Sequence, residues 1–86
     1  MNLEQVHIGL DTHRETIHGT ALDENGGIIK SNAFPNTKEA LQDFVKDFPV
    51  WKTTIAIEAC NFWRGCHKIL KEKGYVVKLA NPVTCH

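Results

Sequence analysis

Asp11 and Glu58 are the residues of this chain best placed to do chemistry. Each closes an apolar run, Ile8-Gly9-Leu10-Asp11 in one case and Ile55-Ala56-Ile57-Glu58 in the other. Runs rich in Ile and Leu are normally buried, and an ionised carboxylate carried on a buried strand is costly unless a cation or hydrogen-bond donors compensate it. Were the two runs adjacent parallel strands, both acids would emerge at the same sheet end, and their repulsion would make a divalent cation the natural third member. Asp11 and Glu58 are therefore the candidate metal ligands and the candidate catalytic residues. Their oxygens suit a hard ion, Mg²⁺ or Mn²⁺, which two carboxylates alone would hold weakly and with most of its waters retained.

Other reactive side chains carry less. His13 and Arg14 follow Asp11 closely enough to touch a phosphate, but they also make an ordinary polar turn and receive no role. Cys60, Cys66 and Cys85 are odd in number and lack a Cys-x-x-Cys pair, so neither a disulfide framework nor a zinc ribbon is expected. They are expected to be reduced thiols, mostly buried. Cys66 and His67 are neighbours on a helix and point apart, and Cys85-His86 could chelate only as a tail. Phe62 and Trp63 could stack on bases, yet aromatics at that spacing are more often core or interface. Lys68, Lys71 and Lys73 with Glu72 form a solvated helix face.

The elements that must position the two acids follow from periodicity. Residues 5–12 alternate, with Val6, Ile8 and Leu10 on one side and His7, Gly9 and Asp11 on the other, a strand with a tight packing requirement over Gly9. Thr12-His13-Arg14 is short enough for a hairpin turn into a second strand over Glu15–Leu22. Asn25-Gly26 marks another hairpin, leading to a third strand over Ile28–Ala33. At Pro35 the period changes: Asn36 or Thr37 caps a helix whose Ala40, Leu41, Phe44, Val45 and Phe48 share one face until Pro49. Lys52–Glu58 returns to strand. A second helix starts at Asn61 or Phe62, carries Phe62, Trp63, Cys66, Ile69 and Leu70 on one face, and ends at Gly74. Tyr75–Ala80 is the last strand, and Asn81-Pro82 breaks it.

The order is β-β-β-α-β-α-β. Short links make strands one to three antiparallel neighbours, and the helical crossovers make strands one, four and five parallel, so the simplest sheet order is 3-2-1-4-5. Strand order then reverses between strands one and four, and open α/β sheets place their sites beside such a switch point at the C-terminal strand ends. Asp11 and Glu58 are expected there.

Eighty-six residues allow a single α/β domain, 1–86, with one small core. Ten basic and ten acidic side chains cancel, so no general field favours a phosphate backbone. No apolar run approaches the ~20 residues of a membrane helix, and the N-terminus has no signal-like stretch, so a cytoplasmic protein with no membrane partner is expected.

The topology resembles that of the ribonuclease-H-like three-layer fold, and the strings sharpen the resemblance. Ile8-Gly9-Leu10-Asp11-Thr12-His13-Arg14-Glu15-Thr16, Leu22-Asp23-Glu24-Asn25-Gly26, Phe34-Pro35-Asn36-Thr37, Ile57-Glu58-Ala59, Phe62-Trp63-Arg64, Gly74-Tyr75-Val76-Val77 and Asn81-Pro82 occur in order. Together they resemble the N-terminal, resolvase-like domain of the DEDD transposases of the insertion-sequence family called IS-one-ten, which includes pilin-gene-inverting recombinases. The resemblance covers nearly the whole chain. It implies a divalent ion held by four acids, with DNA and a guide RNA as partners of the full-length protein. Asp11 matches the first acid and Glu58 the second. The other two lie, in the family, beyond the Asn-Pro motif in a Lys-Thr-Asp-x-x-Asp-like segment, and a C-terminal domain carries a catalytic serine; this chain stops at His86. Cys60-Asn61 stands where Thr-Gly commonly follows the Glu-Ala pair.

The expectation is a truncated catalytic domain of a DNA transposase, ending after strand five and catalytically incomplete, with DNA and RNA binding weak or absent. A chain cut there should leave apolar surface near Val76 and Leu79, so a homo-oligomer is expected. One alternative is a non-catalytic assembly module derived from such a transposase. Another is half of an actin-like sugar kinase or ATPase, since Ile-Gly-Leu-Asp followed by two strands also opens that fold. Its phosphate loop, however, needs a glycine soon after the Asp, where Thr12-His13-Arg14 stands.

Overall fold

The structure, a computed structural model, describes residues 5–58 and 62–80. The alternating runs form β1 (Val6–Thr12), β2 (Thr16–Leu22), β3 (Ile28–Pro35), β4 (Thr53–Glu58) and β5 (Val76–Ala80), and the 3.6-residue patterns form α1 (Lys38–Val45) and α2 (Arg64–Glu72). One mixed sheet results, in the order β3-β2-β1-β4-β5. β1 pairs antiparallel with β2 and β2 with β3, whereas β1–β4 and β4–β5 are parallel. Order and polarity match the expectation.

Strand parity decides which face is core. Val6, Ile8 and Leu10 of β1, Ile17 and Ala21 of β2, and Ile55 and Ile57 of β4 are all buried. The register sets Ile8 between Ala21 and Ile55, and Leu10 between Gly19 and Ile57. Leu41, Phe44 and Val45 of α1, Phe48 just beyond it, and Cys66 and Leu70 of α2 complete one continuous core. The glycine that this packing requires is Gly19, where an added Cβ would lie 2.9 Å from the Phe44 ring. The tight packing expected over Gly9 is absent. Gly9 is on the opposite face, and a Cβ there would meet nothing within 4 Å.

Both helices contribute to that single core, so the described residues build two layers instead of the expected three. The connections explain this. β3-α1-β4 and β4-α2-β5 both join parallel strands, and both step in the same direction across the sheet. Crossovers of one hand and one direction land on the same face. The junction between β1 and β4 therefore separates a hairpin-built half from a crossover-built half, without the helices on opposite faces that define a strict switch point. His7, Gly9, Asp11, His18, Thr20, Ala56 and Glu58 line the other face.

The helices are shorter than their patterns suggest. Thr37 caps α1 by accepting the Ala40 N–H at 3.1 Å, but the helix closes after Val45. Tyr75 is buried, and its hydroxyl reaches the carbonyls of Val45 and Phe48. The chain then makes a 3₁₀ turn at Val50–Lys52 that periodicity did not reveal. α2 begins at Arg64, not at Asn61 or Phe62; Phe62 has φ 59 and is half exposed, outside the apolar face assigned to it. Asn61 lies outside the described residues, as do Cys60, Cys85, His86 and Asn81-Pro82. Cys66 is a buried free thiol. Among the described residues, no helix is long and apolar enough to cross a membrane.

Candidate functional site

Asp11 and Glu58 stand at the C-terminal ends of β1 and β4, each one residue past the final β1–β4 pair, Leu10 with Ile57. The preceding pair on their face is Gly9 with Ala56. Both carboxylates therefore emerge from the uncovered face, on strands about 4.8 Å apart by ordinary sheet spacing. With Gly9, Leu10, His18, Thr20, Ala56 and Ala80 they line one shallow depression. Its floor is low because Gly9 and Ala56 carry little or no side chain.

Two histidines flank Asp11. Nε2 of His13 lies 3.1 Å from Oδ2 of Asp11, and the carboxylate keeps half of its side-chain exposure. His18 is the cross-strand partner of Asp11 on β2 and belongs to the same lining. Periodicity alone left His18 unnoticed; the three-residue link between the first two strands was the signal that could have placed it opposite Asp11. The Arg14 guanidinium stands 5.8 Å from the centre of the Phe62 ring, joining the β1–β2 turn to the segment before α2. Phe62 thus contacts a cation and is not part of the core, while Trp63 packs partly against the core and edge-on to His67 at 5.8 Å.

The donor set favours a hard cation. Two carboxylate oxygens fit Mg²⁺ or Mn²⁺, but among the described residues no three His, Cys, Asp or Glu side chains converge to enclose a metal. Such an ion would be held from one side and mostly hydrated, and it would be open to further oxygen ligands such as phosphate. The thiol of Cys66 is unsuited to ligation: burial pushes its pKa up and keeps it protonated.

No family model matches the chain, and no curated protein is significantly similar to it. Solved structures do match. One is a Bacteroides thetaiotaomicron protein with an actin-like ATPase fold and unknown function, at TM-score 0.67 and 12% identity over 92% of this chain and 34% of that one. Another is an Aquifex aeolicus member of the Ppx/GppA family, at TM-score 0.48 and 14% identity over 91% of this chain and 35% of that one. The likeness is one of fold. The chain spans about a third of the length of each structure.

The first of these matches corrects the functional expectation. The reading as a truncated DNA transposase domain is not upheld: the solved protein that superposes over 92% of this chain has an actin-like ATPase fold. The five-stranded mixed sheet in the order 3-2-1-4-5 is compatible with either fold, so topology alone left both open.

Proposed function

We propose that this chain is part of an actin-like phosphoryl-handling protein, in which Asp11 and Glu58 hold a divalent cation that accompanies the phosphates of a nucleotide. The observation that carries the reading is the emergence of both carboxylates on adjacent parallel strands, on the uncovered face, within a sheet that resembles an actin-like ATPase fold. The cation would neutralise phosphate charge and orient it, as hard ions on oxygen ligands do. The chain spans about a third of its structural neighbour, so further oxygen ligands and the rest of a nucleotide pocket would come from outside these residues.

One departure shapes the proposal. A glycine-rich turn after the first Asp would offer backbone N–H groups to phosphate, but Thr12-His13-Arg14-Glu15 has no glycine, and its His13 N–H is already given to the Thr16 carbonyl at 2.8 Å. Phosphate contact would therefore fall to side chains, with the Arg14 guanidinium and the His13 ring at hand.

The test is paramagnetic titration with Mn²⁺, with and without ATP. Selective broadening of the His13, His18 and Gly9 signals, lost in both Asp11→Asn and Glu58→Gln, is expected. Broadening that is unchanged in both variants would place the ion elsewhere and end the proposal.

A further inference from the structure

The turn beside Asp11 is pinned from outside its own hairpin. Asn36, at the junction of β3 and α1, donates Nδ2–H to the carbonyl of His13 at 2.7 Å. Its backbone N–H donates to the carbonyl of Glu15 at 3.0 Å. From α2, the Cys66 thiol approaches Asn36 Oδ1 at 3.9 Å. A carbonyl can only accept, so chemistry itself orients the amide with nitrogen toward His13 and oxygen toward the thiol. The His13 imidazole in turn meets the Asp11 carboxylate at 3.1 Å. Contacts thus run without a break from α2 through Asn36 and His13 to Asp11.

We infer that Asn36 is the positioning residue of this site: it fixes the backbone of His13 so that the imidazole holds the Asp11 carboxylate in one orientation. The inference rests on Asp11 being a cation ligand, as proposed above. A side chain free to rotate must be ordered when the ion binds, whereas one already held binds without that cost. Neither helix propensity nor capping requires Asn36, because Thr37 supplies the α1 cap.

The test uses the 86-residue chain, Asn36→Asp and Asn36→Ala, with Asn32→Ala on the preceding strand as a control. Asn36→Asp keeps the side-chain shape, the backbone N–H and an acceptor for the thiol, while it replaces the donor to His13 with an oxygen and adds one negative charge. It should therefore fold even where Asn36→Ala does not. Long-range ¹H–¹⁵N spectra of the His13 ring report its protonated nitrogen and its hydrogen bond without any metal, and Mn²⁺ titration reports affinity. A single hydrogen bond of ordinary net strength predicts a fivefold to tenfold loss of Mn²⁺ affinity, on the order of 1 kcal/mol. The expected result is that Asn36→Asp alters the His13 ring signature and weakens Mn²⁺, while Asn32→Ala changes neither. An unaltered His13 signature in folded Asn36→Asp would overturn the inference. If the wild-type chain binds no Mn²⁺, the cation reading fails, and the ring signature still decides whether Asn36 positions His13.

Discussion

Glu58 stands beside Asp11 on the neighbouring parallel strand, and the Gly9–Ala56 pair before them on the same face carries no side chain large enough to shield the two acids from solvent. Like charges on facing strand positions repel. Glu58→Gln is therefore expected to stabilise the metal-free chain by about 0.2–1 kcal/mol. Added Mn²⁺ should raise the melting temperature of the wild-type chain and leave that of the variant unmoved, since only a state that binds the ion gains from it. Thermal melts with and without Mn²⁺ check both halves. A variant less stable than wild type without metal would show that Glu58 has a stabilising partner.

The two sheet glycines should respond in opposite directions. Gly19→Ala drives a methyl group against Phe44, and overpacking of this kind costs about 1–3 kcal/mol. Gly9→Ala meets open space at a φ that is not positive, so it should stabilise by about 0.4–1 kcal/mol through the unfolded chain. Urea denaturation of the two variants side by side decides the matter.

Thr53 is buried, and its hydroxyl has no hydrogen-bond partner among the described residues. A desolvated, unpaired hydroxyl is a liability, and valine has nearly the same shape. Thr53→Val should raise stability by roughly 1 kcal/mol. Equal or lower stability would mean that the hydroxyl is satisfied.

Alkaline pH should unfold the chain in a specific way. Burial pushes the pKa of both the Cys66 thiol and the Tyr75 phenol upward. In the unfolded chain these groups ionise near their ordinary values, roughly 8.5 and 10, while the fold keeps them neutral. Their contribution is thus fully present below those values and is lost as pH rises through the higher folded ones. Urea midpoints measured from pH 8 to 11 should fall, and Cys66→Ala should remove the earlier part of the decline. Tyr75→Phe should remove the later part, at a cost of about 1–3 kcal/mol at neutral pH for the carbonyls left at Val45 and Phe48.

The order of the sheet and the placing of Asp11 and Glu58 at the ends of adjacent parallel strands could be deduced from the sequence by itself. Both follow from local facts: alternation marks the strands, link length separates hairpins from crossovers, and crossover handedness leaves few arrangements. Tertiary structure alone decided the rest. Whether Gly9 or Gly19 lies under an aromatic ring depends on which face receives both helices, which follows from the direction of two successive crossovers. His18 joins the site through the register of β1 and β2, and Asn36 through contacts with residues far from it in sequence. The choice between a transposase domain and an actin-like lobe was beyond the local strings for a related reason. An acid at a strand end, a polar turn and a second acid on the neighbouring strand fit the sheet order that both folds share. Such strings look alike in either setting, and it was the superposition on a solved protein of actin-like ATPase fold that spoke against the transposase reading.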